Sequence, residues 1–134
     1  MAQRTFINLP VRDLGKSMDF FKGIGFKFND QFTDEKAGCM IISDTLSVML
    51  LTEGYFRTFT KKPVSDAKTV TEVLIALEVS SKEEVIQKIS KAQSLGAEIY
   101  ANPQDHGWMY QHSFADPDGH QWELTWVDES QLPG

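Results

Sequence analysis

Two stretches of the chain repeat one order of hydrophobic and polar positions. In FINLPVRDLGKSMDFFKGIGFKF, residues 6–28, Ile7, Leu9 and Val11 alternate with Phe6, Asn8 and Pro10, which is the period of a strand. Asp13 then stands where an N-cap belongs, and Leu14, Met18 and Phe21 recur at helical spacing. Gly23 and Gly25 mark the helix exit, and Phe26 and Phe28 open a new alternation. Two more strands are predicted over residues 38–43 and 46–52, with Asp44-Thr45 as the turn between them.

The same order returns in LIALEVSSKEEVIQKISKAQSLGAEIY, residues 74–100. Ile75, Leu77 and Val79 alternate with Leu74, Ala76 and Glu78. Ser80 with Glu83 forms a capping box, and Val85, Ile89 and Ala92 mark the buried stripe of a helix. Gly96 ends that helix, and residues 97–100 extend away from it. Strands over 108–115 and 120–127 follow, joined by the turn Asp116-Pro117-Asp118-Gly119. Leu9-Pro10-Val11 thus matches Leu77-Glu78-Val79, Gly25 matches Gly96, and Val48-Met49-Leu50 matches Trp122-Glu123-Leu124. The expected architecture is one α+β domain spanning 1–134 and built of two tandem βαβββ modules, 4–52 and 72–128. Residues 53–71 connect them, with a short helical turn at 54–59, and 129–134 form a frayed tail. Tyr55, Phe56 and Phe59 are apolar for a connector and serve either to cover a sheet edge or dimer seam, or as a lid over a ligand.

Composition narrows the functional classes. The 134 residues suffice for one modest core, and the formal net charge is −6. That acidity argues against nucleic acid and against an anionic membrane surface as partner. No apolar run reaches the length of a membrane span, and the opening MAQRTFINLPV predicts no secretory leader. The single Cys39 cannot form an intrachain disulfide, which points to a cytoplasmic setting and to a small buried strand residue.

The opening FxNLPVxDLxxSxxFFxxxGF, the closing DPDGHxWEL and the paired modules together resemble the glyoxalase/bleomycin-resistance/extradiol-dioxygenase superfamily, or vicinal oxygen chelate fold. FINLPVRDL, GCMIISDT, VMLLTE, TEVLIALEV and PQDHGWMYQHSFADPDGHQWEL are similar to its branch of predicted lactoylglutathione lyases. The resemblance covers roughly residues 4 to 128 and implies curved sheets around a cleft, often with a divalent metal acting as a Lewis acid. One ligand would come from the first and one from the last strand of each module, on the face turned away from the helices. Carried onto this chain, those positions are Phe6 and Met49 in the first module, Leu74 and Glu123 in the second. Phe and Leu cannot coordinate, and a lone thioether is a poor ligand for zinc, nickel or iron(II). The usual metal site is therefore expected to be absent; a divalent metal, if one binds, would use Glu123 and His112. Glu72, His106 and His120 lie nearby in sequence or by hairpin geometry; of these, His120 is read as a turn residue and His106 as a loop residue.

The cleft face is expected to carry Phe6, Asn8, Ser47, Met49, Leu51, Leu74, Ala76, Gln121 and Glu123, with Trp108 and Tyr110 as a stacking wall. If Ala115 lies opposite His120, Tyr110 and His112 share the face of Glu123. A one-residue slip moves them to the other face. Three readings follow. The first is a homodimeric, metal-free protein that binds a small, partly apolar molecule through Phe6, Asn8, Met49, Leu74, Trp108 and Gln121. The second is a metal-dependent lyase of glyoxalase I type or a dioxygenase. The third is a metal-free acid–base enzyme in which Glu123 works with His112 or Tyr110. A glutathione-like substrate would call for clustered cations, and Arg4, Arg12 and Arg57 show no cluster.

Overall fold

The computed structural model describes residues 3–132. The chain divides into two compact units, Met1–Asp66 and Ala67–Gly134. In the first, β1 (Thr5–Val11) leads into helix α1 (Leu14–Ile24), followed by β2 (Lys27–Phe28), β3 (Ala37–Ile41) and β4 (Leu46–Thr52). The strands form one sheet in the order β1-β4-β3-β2, with β1 parallel to β4 and the other pairs antiparallel. Pro10 is tolerated because β1 lies at the sheet edge, where a missing N–H leaves no ladder bond unmade. Asp13 caps α1 by accepting from the Lys16 N–H, and Gly25 closes it at a φ of 120°.

One face of this sheet packs on α1. Leu9, Val11, Met40, Val48 and Leu50 meet Leu14, Phe20, Phe21 and Ile24 there, all buried. Phe21 stands edge-on to Phe20 and Phe26, at centroid distances of 5.0 and 5.8 Å. The buried stripe of α1 runs through Ser17 and Phe20 rather than Met18, which is half-buried and lies over Gly38, where an added Cβ would come 2.9 Å from its sulfur. After β4, Thr52 caps a short helix, α2 (Glu53–Phe56), which continues as a 3-10 turn at Arg57–Phe59. Arg12 ties this region to the end of β1 through Asp66 at 2.9 Å and Glu53 at 3.8 Å.

The second unit repeats the plan. It comprises β5 (Leu74–Glu78), α3 (Lys82–Ser94), β6 (Gln104–Asp105), β7 (Met109–Ala115) and β8 (Gln121–Val127), in the order β5-β8-β7-β6. Here β5 is parallel to β8, as β1 is to β4. The α+β fold of two βαβββ modules, each with a four-stranded mixed sheet, is therefore the observed architecture. Val85, Ile89 and Ala92 of α3 pack on a face that carries Ile75, Phe114, Trp122 and Leu124. Three local details differ from expectation. Ser81, not Ser80, is the N-cap, because SSKEE contains the S-x-x-E spacing twice; Glu84 then accepts from both Ser80 groups. Residues 97–100 contribute only a bridge between Glu98 and Ala115, and the pairing strand comes later, at β6. At the C-terminus, Asp128 caps a 3-10 turn at Glu129–Gln131 in place of the frayed tail; residues 133–134 lie outside the described residues.

The turn between β7 and β8 is organised by one buried side chain, Asp116. Its Oδ1 accepts from the backbone N–H groups of Asp118 and His120, and its Oδ2 accepts from the indole N–H of Trp122 at 3.0 Å. Burial pushes this carboxyl above the usual range, opposed by the nearby His120 and by the Trp122 bond. Gly119, at a φ of 94°, cannot carry a side chain, since a Cβ would come 2.7 Å from the Lys68 backbone nitrogen. Replacing Asp116 with Ala strands three buried N–H donors. The expected loss is about 2–4 kcal/mol, or a fall in Tm of roughly 5–15 °C, read by calorimetry.

Candidate functional site

Because side chains alternate across a strand, the register of each pair decides which residues share a face. In the first sheet Phe6 lies opposite Ser47 and Asn8 opposite Met49. In the second, Leu74 lies opposite Gln121 and Ala76 opposite Glu123. The two registers are equivalent: Phe6 corresponds to Leu74, and Met49 to Glu123. All four stand on the face turned away from the helix of their own unit.

That face is open in each unit. On the first, a hollow of about 440 Å³ is bordered by Phe6, Asn8, Phe32, Met49 and Tyr55. Tyr55 comes from the connector, with its ring 5.0 Å from that of Phe59. Phe32 sits on a 3-10 turn, Asp30–Phe32, that Asn29 caps through the Gln31 N–H. Leu51 shares the strand parity of Met49 but is buried and does not line the hollow. On the second unit, a hollow of about 370 Å³ is bordered by Leu74, Tyr100, Gln111, Ser113, Gln121 and Glu123. Thr71 donates to the Gln121 side-chain oxygen at 2.7 Å and holds that amide in place.

The observed β7–β8 register pairs Ala115 with Gln121, one residue away from the pairing that would have grouped Tyr110 and His112 with Glu123. Ser113 lies opposite Glu123, whereas His112 faces Leu124 and Tyr110 faces Trp126. Tyr110 is buried beneath the Lys82 ammonium, which lies 4.9 Å from its ring and pairs with Asp105 at 2.8 Å. The hydrogen bond between those two raises the lysine above its usual range and lowers the carboxyl. His112 reaches the rim of the second hollow, but its Nε2 is bound to the Ala101 carbonyl at 3.0 Å. Neither side chain forms an acid–base pair with Glu123. Trp108 precedes β7, stacks on His106 at 6.3 Å and borders neither hollow. His120 is buried beside Asp116, as a turn residue.

Sequence reasoning did not single out Phe32, Tyr100, Ser113 or Gln111. Phe32 is the apolar residue in the polar run NDQFTDE, which was the available signal; the others depended on the register.

The four equivalent positions decide whether a divalent metal fits. Phe6 and Leu74 offer no donor, Met49 offers a thioether, and Glu123 is the lone hard ligand of the four positions. This set does not suit a hard or borderline ion. Among the described residues, no three His, Cys, Asp or Glu side chains gather closely enough to hold a metal. Nor is any helix among them long and apolar enough to cross a membrane.

A family model described as the Glyoxalase/Bleomycin resistance protein/Dioxygenase superfamily matches residues 4–124. Among solved structures, a hypothetical protein from S. aureus shares 29% identity at a TM-score of 0.80, covering 95% of each chain. A glyoxalase/bleomycin resistance protein/dioxygenase family enzyme from Burkholderia phytofirmans has a TM-score of 0.76 at 16% identity, covering 94% of this chain and 99% of that one. A mutant fosfomycin resistance protein from Listeria monocytogenes, complexed with manganese(II) and a dihydroxypropylphosphonic acid, has a TM-score of 0.65 at 23% identity, covering 92% and 89%. No curated protein matches the chain.

Proposed function

The chain belongs to the glyoxalase/bleomycin resistance protein/dioxygenase superfamily, and we propose that it binds a small, partly apolar molecule on the open faces of its sheets without the metal that relatives use. The observation that carries this reading is that Phe6, Met49 and Leu74, which stand in equivalent register at the positions where the resemblance puts metal ligands, offer no hard donor. These side chains form contact surface for a ligand where a chelate would otherwise sit. The size of each hollow, about 370 and 440 Å³, falls in the small-molecule range. Lactoylglutathione-lyase or dioxygenase chemistry, which needs an ion at these positions, is the contrasting reading. The buried, unpaired Cys39 accords with a cytoplasmic protein.

Ligand binding to the folded state raises Tm. A library of aromatic and aliphatic small molecules is expected to yield compounds that raise Tm equally with and without EDTA. Compounds that act only after manganese, zinc or nickel is added would contradict the metal-free reading.

A homodimer is part of the same proposal. Phe59 on the connector is 64% exposed and borders neither hollow, and a second copy would cover it while leaving the ligand faces open. Light scattering should give twice the chain mass of 15.2 kDa; a value equal to the chain mass would refute the dimer.

A further inference from the structure

The small-molecule reading leaves open the chemical class of the ligand, and the surroundings of Glu123 bear on it. Glu123 stands on β8, an interior strand of its sheet. Its neighbours across the sheet are Ala76 on one side and Ser113 on the other. Both are short, so the carboxylate rises above the surface on either side of it. Along its own strand, Gln121 and Thr125 share its face. Among the described residues the Glu123 side chain has no hydrogen-bond or ion-pair partner, and no Lys or Arg borders the hollow it lines. The hollow is walled instead by the amides of Asn102, Gln104, Gln111 and Gln121, by the apolar surfaces of Leu74 and Tyr100, and at its rim by His112, whose Nε2 is bound to the Ala101 carbonyl.

A molecule that settles on Leu74 and Tyr100 covers Glu123 and strips its water. An ionised carboxylate deprived of water is costly unless a cation or strong donors replace the lost hydration. The wall holds no Lys or Arg, and none of its amides or its one imidazole is hydrogen-bonded to Glu123, so a cation on the ligand answers the charge most directly. We propose that this face takes a small molecule bearing a protonated amine, with its apolar part against Leu74 and Tyr100 and its ammonium on Glu123. The proposal rests on the small-molecule reading and adds the charge of the ligand to it. A charge-assisted hydrogen bond to the carboxylate fixes orientation, and the chain's net charge of −6 favours the approach of cations. An anionic ligand meets the opposite situation, because it would bring a second negative charge against an uncompensated one.

The test compares three probes of one shape: 4-phenylbutylammonium, neutral 4-phenylbutan-1-ol and 4-phenylbutyrate. Each is titrated into ¹⁵N-labelled protein and into the E123Q variant, with binding read from the amide signals of Leu74, Gln121 and residue 123. The ammonium is expected to bind at least about tenfold more tightly than the alcohol, and E123Q to abolish that preference. Alcohol binding is expected to be the same in both proteins, which shows that the E123Q face is intact. Equal affinity for alcohol or butyrate at these amides overturns the charge assignment and leaves the small-molecule reading standing. An ammonium affinity unchanged in E123Q overturns it as well. If none of the three probes moves these amides, the ammonium proposal falls, and the library screen decides the small-molecule reading separately.

Discussion

The turn between β7 and β8 closes around the carboxylate of Asp116. Buried and accepting from two backbone N–H groups and the Trp122 indole, it holds the hairpin in a single register. A strand pair that slips by one residue exchanges its faces, so this register governs both the core and the open surface of the second unit. Trp122 and Leu124 go inward against α3, and Glu123 goes outward. Ionic burial is ordinarily costly; here the donors that the turn itself must satisfy offset only part of the desolvation of Asp116, whose carboxyl stays above its usual range.

The first unit reaches the same topology without that device. Its β3–β4 turn, Ser43 to Thr45, uses a serine hydroxyl that accepts from the Thr45 and Leu46 N–H groups. What both units share is the parallel pairing of first and last strand beneath a helix, with residues in equivalent register. That pairing brings two open-face positions from distant points in the sequence onto neighbouring strands. A scaffold of this kind keeps its positions when the side chains on them change, so chemistry varies while the fold persists. In this chain three of the four positions are apolar, and the remaining one is a carboxylate on a face that supplies no positive charge.

Much of the fold was legible from the chain because it is written in periods. Alternation in 6–11 and 74–79, the helical stripes after them, and the glycines at 25 and 96 determined both modules. The equivalence of Met49 with Glu123 also followed from pattern alone. The partners of Glu123 were not legible, because alternation is satisfied by either register of the final hairpin. Tyr110 and His112 have the right composition for a catalytic face, yet the Asp116 turn places Ser113 across from Glu123 and sends them to the other side. The capping serine was ambiguous for a similar reason, since two overlapping S-x-x-E spacings compete, and the helix takes Ser81. Phe32 and Tyr55 reach the first unit's hollow from a turn and a connector, where no periodic signal exists.

The metal content of the protein, purified without chelator and measured by elemental analysis, bears most directly on whether apolar contact has replaced chelation on these faces. Zinc, manganese, iron and nickel should together fall well below one ion per chain, and dialysis against any of them should leave the protein without a tightly held equivalent. An ion retained at about one per chain through gel filtration would contradict the account, because Glu123 with three non-coordinating or weakly coordinating partners could not hold it.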